Sequence, residues 1–106
     1  MNLLFICGKN RLRSPTAEQL FADWPGVNTA SAGVGHDADL PVDMEMLDWA
    51  DLVLVMEPAH RKKLTSRFSS VLADKRIVCL GIPDDFEYME PALIALLNAK
   101  VKRYLP

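Results

Sequence analysis

A chain of 106 residues, half of them apolar and a quarter charged, suffices for one small domain with its own core, here expected over residues 1–106. The net charge of −2 argues against a general binder of nucleic acid or of an anionic membrane surface. No apolar run is long enough for a membrane span, no secretory segment opens the chain, and two cysteines are too few for a secreted disulfide framework. The expectation is a cytoplasmic protein, without nucleic-acid or membrane partners, in which Cys7 and Cys79 are free thiols.

Asn2–Ile6 (NLLFI) is a continuous apolar run of the kind buried on both faces of a parallel sheet. Ser14-Pro15 opens a helix, with proline at the first helical position, where its missing N–H costs nothing. Ala17, Leu20, Phe21 and Trp24 then fall at i, i+3, i+4, i+7 and mark one apolar stripe. Pro25-Gly26 stops that helix. Val27–Ala32 is a second strand ending at Gly33, and a Gly/Asp-rich loop leads to a short helix around Val42–Trp49, with Trp49 packing on the sheet. Asp51–Met56 (DLVLVM) is a third buried strand. Pro58–Phe68 is helical, with Leu64 and Phe68 inward, while His60-Arg61-Lys62-Lys63 reads as a solvated face. Arg76–Ile82 is a fourth strand, Pro83–Met89 a loop, and Glu90-Pro91 begins a last helix with Leu93, Leu96, Leu97 and Val101 on one face. His36 and His60 read as surface or structural residues, and the methionines beyond the first as core filler.

Alternating strands and helices define an α/β, three-layer sandwich with a four-stranded parallel sheet and right-handed crossovers. Such sheets place ligand sites beyond the carboxyl ends of their strands, where the loops after the first and fourth strands emerge.

The first of those loops, CGKNRLRS, combines the elements of an anion site. A thiol is nucleophilic only as its thiolate, which neighbouring cations and a helix N-terminus favour. Successive backbone N–H groups at Gly8, Lys9, Asn10, Arg11 and Leu12 can curl into a nest. Arg13 can grip two oxygens of a tetrahedral anion with its planar fork. Lys9 and Arg11 add charge that suits a strongly anionic ligand. Cysteine, five residues, arginine and serine therefore suit a loop wrapped around one phosphate, with Cys7 beneath it and Arg13 at the rim.

The chain resembles the low-molecular-weight protein tyrosine phosphatase family, in a short bacterial form. The family's C-x5-R-[ST]-P-x-A-E is matched by Cys7, Arg13, Ser14, Pro15, Ala17 and Glu18. Its S-A-G is matched by Ser31, Ala32 and Gly33, and its A-D-x-x-x-x-M-E-x-x-H block by Ala50–His60. The resemblance implies a flavodoxin-like strand order 2-1-3-4 and a phosphomonoesterase, most simply a protein tyrosine phosphatase. Cys7 would form a cysteinyl-phosphate, Ser14 would hydrogen-bond its thiolate, Asn10 would brace the loop, and Arg13 would hold the phosphate oxygens. It implies no metal or cofactor, and as substrate a phosphorylated protein or small phosphomonoester.

Where the family carries a D-P-[YFW] acid loop, this chain has PDDF. Asp84 aligns with the general acid, and Asp85 is the second candidate. Leu12 replaces a second loop cysteine found in many relatives, Lys9 replaces a glycine, Arg11 a small or threonine residue, and Phe86-Glu87 an aromatic pair. A non-catalytic phosphate- or phosphopeptide-binding module is the alternative function, and a thiol-dependent arsenate reductase a more distant one, since that chemistry needs shuttle cysteines and only Cys79 remains.

Overall fold

The computed structural model describes residues 1–106. Strand β1 (Asn2–Cys7) lies inside a four-stranded sheet, pairing in parallel with β2 (Asn28–Gly33) on one side and β3 (Leu52–Val55) on the other. β4 (Arg76–Cys79) pairs in parallel with β3, giving the order β2-β1-β3-β4. Leu3 to Cys7 and Leu52 to Val55 are all buried, as an apolar run covered on both faces requires.

Alternation along β1 separates the two cores. Leu3, Phe5 and Cys7 face α1 (Arg13–Phe21) and α5 (Pro91–Val101), where they pack with Ala17, Phe21, Leu93, Leu97 and Val101. Phe5 stacks on Phe21 at 6.0 Å between ring centroids. Leu4 and Ile6 face α2 (Met44–Trp49), α3 (Pro58–Arg67) and α4 (Ser69–Leu72), packing with Leu47, Leu64 and Leu72. Each such buried Leu or Phe contributes about 1.5–3 kcal/mol of transfer free energy, so the thin sheet is held chiefly by these two layers. A 3-10 turn, Lys102–Tyr104, ends the described elements.

The sequence-based element order holds, with local differences. Gly81, at φ 66°, ends β4 at Cys79, although Leu80 and Ile82 still donate to Val55 and Met56. The third predicted helix breaks at Phe68 (φ −130°, ψ 33°), and α4 follows as a separate turn. Trp49, expected against the sheet, is 38% exposed at the end of a six-residue helix. Of the methionines after the first, only Met56 is fully buried, and Met44 is exposed. No helix is long and apolar enough to cross a membrane.

Candidate active site

The loop between β1 and α1 rises from the carboxyl end of the sheet and closes on the thiol of its own first residue. Cys7 is 3% exposed, with Sγ 2.8 Å from Ser14 Oγ and 3.2 Å from the Asn10 N–H, which donates to it. Asn10 adopts φ 56°, a left-handed conformation that asparagine tolerates better than most residues, and so turns its amide inward. Its side-chain Nδ2 donates to Ser14 Oγ at 3.0 Å. The N–H groups of Gly8, Lys9, Arg11 and Leu12 donate to no protein acceptor, and no side chain caps α1. They form an unsatisfied donor array at a helix N-terminus, the arrangement that favours an anion.

The loop's outer side is carried by the segment after β2. Val34, Gly35 and Asp39 donate their N–H groups to the carbonyls of Cys7, Gly8 and Lys9 at 2.9, 2.9 and 3.0 Å. A Cβ on Gly33 would lie 2.5 Å from Ala38 Cβ and 2.7 Å from the Gly8 carbonyl oxygen, so only glycine lets the two segments approach this closely. The two loop cations, expected to add to the anion field, are drawn toward this same segment: Lys9 pairs with Asp37 at 3.3 Å and Arg11 with Asp39 at 3.0 Å. The Lys9 ammonium holds the Asp37 carboxyl below its ordinary 3.8. Much of their charge is thus already balanced.

Arg13 is buried rather than at the rim. Its side chain is 5% exposed, donating from Nη1 to the Ile82 carbonyl at 2.7 Å and to Glu57 Oε2 at 2.8 Å, while Nε lies 3.6 Å from Asp84 Oδ1. Glu57 precedes α3 and is oriented by His60. The Glu57 N–H donates to His60 Nδ1 at 3.2 Å, and His60 Nε2 faces Glu57 Oε2 at 3.4 Å. Burial, and then the Arg13 charge, push the His60 pKa below 6.5. A neutral ring with the proton on Nε2 satisfies both contacts. His60 is therefore a buried member of the site, not part of a solvated face as the charge run suggested. Its spacing of four from buried Leu64 is the signal that places it inward.

These groups enclose a cavity of about 360 Å³. Cys7, Gly8, Lys9, Arg11, Leu12, Arg13 and Asp84 all line it, together with Glu57 and His60, to which sequence reasoning assigned no role. Asn10 and Ser14 sit behind the wall, bonded to each other and to the thiol. Asp85 is exposed and does not line the cavity. Cys79 lies on β4, two strands from β1, and is a free thiol like Cys7. No group of three or more His, Cys, Asp or Glu side chains has the geometry to hold a metal ion.

The parallel sheet of order 2-1-3-4 thus carries the Cys-x5-Arg-Ser loop at its carboxyl edge. No family model matches the chain. A protein-arginine-phosphatase of Geobacillus stearothermophilus is 32% identical, the match covering 62% of this chain and 61% of that protein, less than two thirds of the relative's length. The tyrosine phosphatase Wzb from Escherichia coli K30, solved with phosphate, superposes with a TM-score of 0.78 at 25% identity, covering 97% of this chain and 94% of that one. The YwlE arginine phosphatase, solved as a mutant with a phosphorylated active-site serine, covers 100% of both chains with a TM-score of 0.70 at 25% identity. In fold, and over part of its sequence, the chain is similar to these bacterial tyrosine and arginine phosphatases.

Proposed function

We propose that the protein is a cysteine-dependent phosphatase acting through a cysteinyl-phosphate on phosphorylated protein side chains. The observation that carries this reading is the position of Cys7 Sγ, held 2.8 Å from Ser14 and 3.2 Å from the Asn10 N–H at the base of a ring of undonated N–H groups. A tetrahedral dianion seated there takes its negative charge onto those groups and onto Arg13, whose Nη2 donates to no protein acceptor. The thiolate attacks phosphorus and forms an S–P bond as the bond to the leaving group breaks. Asp84, on the cavity wall beside Arg13, gives its proton to the departing atom. The resulting carboxylate then takes a proton from water, which attacks phosphorus and expels the thiolate. Ser14 Oγ stabilises that thiolate by hydrogen bonding. The positive field that a metal otherwise supplies in phosphoryl transfer comes here from the nest, the helix terminus and Arg13.

The substrate is a phosphorylated protein, with tyrosine the first candidate residue. The arginine phosphatase relatives make phosphoarginine the second, because the same S–P chemistry breaks a P–N bond once its nitrogen is protonated. We place the enzyme in the cytoplasm, where a free catalytic thiol stays reduced, acting as one domain over residues 1–106.

Hydrolysis of an aryl phosphate at mildly acidic pH tests the proposal. Turnover falling by roughly three orders of magnitude or more in Cys7→Ser is the expected outcome. Turnover that survives this substitution, or phosphate binding with no turnover in the unmodified protein, would overturn it, and the latter would favour a binding module.

A further inference from the structure

Resting on that phosphatase reading, we infer that the enzyme selects phosphorylated polypeptide segments carrying acidic side chains next to the phosphorylated residue, received by Lys62 and Lys63 on α3. The cavity lies between walls that come from opposite faces of the sheet. Helix α3 packs through Leu64 on the face shared with Ile6 and Leu47, whereas the segment after β4 crosses to the face of Phe5 and α5, where Phe86 packs. Beyond the cavity-lining Glu57 and His60, α3 exposes Lys62 and Lys63, whereas the segment after β4 exposes Asp84 on the wall and Asp85 and Glu87 outside it. Across a chain of net charge −2, this is a strong local polarity.

The cations on the two sides of His60 differ in how they are held. Lys9 and Arg11 are paired with Asp37 and Asp39. Lys62 and Lys63 are exposed and belong to no ion pair. They border a shallow depression of about 320 Å³ with Ala59 and Ser66, beginning in the first turn of α3. Lys63 is near enough to His60, a cavity wall, to disfavour its protonation. A chain with its phosphate on Cys7 thus has one direction in which a carboxylate meets unpaired ammonium groups, and an opposite direction in which it meets carboxylates. Each exposed pair gained is small, so the two lysines together give roughly a 3- to 20-fold preference, screened by salt.

Matched peptides phosphorylated on tyrosine or on arginine, in acidic and in neutral sequence contexts, together with a small aryl phosphate, read this out as kcat/KM. At low ionic strength the acidic-context peptide is preferred by roughly 10-fold, and the preference shrinks toward unity near 0.5 M salt, about where the Debye length falls to a few ångströms. The Lys62→Ala/Lys63→Ala protein loses the preference and keeps its aryl phosphate rate within about twofold. Equal rates for both contexts, or a preference that survives the double substitution, would overturn the inference while leaving the phosphatase reading intact. Failure of the unmodified protein to hydrolyse any of these compounds in a Cys7-dependent way would overturn the phosphatase reading itself.

Discussion

The two loops that meet at the cavity are built in opposite ways. The β1–α1 loop is fixed from both sides: Asn10 and Ser14 tie it to the thiol within, and the N–H groups of Val34, Gly35 and Asp39 hold its carbonyls without. The segment after β4 is anchored at its ends, by Ile82 on Met56 and by the Met89 N–H on Thr16 Oγ1 at 2.9 Å. Between them, Asp84 and Asp85 are exposed, and Asp84 reaches the site only through a 3.6 Å contact with Arg13. In the proposed mechanism, the groups that match a phosphate are preorganised, while the group that meets varied leaving atoms is left to adjust. Preorganised donors contribute most to stabilising charge in a transition state, because they need no rearrangement during the reaction.

That contrast yields a ranked set of substitutions. Asp84→Asn removes the proposed proton donor and is expected to lower kcat by about 10²- to 10⁴-fold on a substrate with a poor leaving group, whereas Asp85→Asn changes it only a few-fold. Equal losses from both, measured by steady-state kinetics, would assign the acid to the pair instead of to Asp84. Glu57→Gln removes a charged partner of Arg13 without removing an anion-binding donor. A charge-assisted hydrogen bond is worth about 1.5–3 kcal/mol, so kcat/KM should fall roughly 10- to 100-fold, with weaker vanadate binding. Unchanged vanadate affinity would show that the Ile82 carbonyl alone orients the guanidinium.

The smallest effect concerns His60 and pH. Its pKa in the folded protein lies below 6.5, so between that value and 6.5 the unfolded chain binds a proton that the folded protein does not. The stability this group contributes is fully present above about pH 6.5 and is lost as pH falls below it, at no more than about 1.4 kcal/mol per pH unit. Urea midpoints for wild type and His60→Gln at pH 7.5 and 5.5 test this. The variant should show the shallower decline, and parallel declines would assign the loss to other groups.

Most of the architecture was legible from period and punctuation. Apolar runs of four to six residues, Pro at helix starts and Pro25-Gly26 after the first helix locate the elements to within a few residues, because those signals are local. The thiol, Asn10, Arg13 and Ser14 were legible because eight consecutive residues carry them. What stayed hidden depends on contacts between distant segments. Glu57 and Arg13 are 44 positions apart, and only the β1–β3 pairing brings them within 2.8 Å. His60 was obscured by the three cations after it, whose polarity masks a side chain that shares the inward stripe with Leu64. Trp49 failed in the other direction: apolar character alone does not bury a residue at the end of a six-residue helix.

The pairing of Lys9 with Asp37 and of Arg11 with Asp39 sets the unit in which this site can be re-engineered. Neither aspartate lines the cavity, yet each fixes a side chain that does. A library that varies positions 9 and 11 alone leaves stranded carboxylates beside the loop, and the new surface would repel the anion it was meant to recruit. Covariation of 9 with 37 and of 11 with 39 keeps the local charge balanced, and so lets the mouth of the cavity be redrawn without disturbing the cradle beneath it.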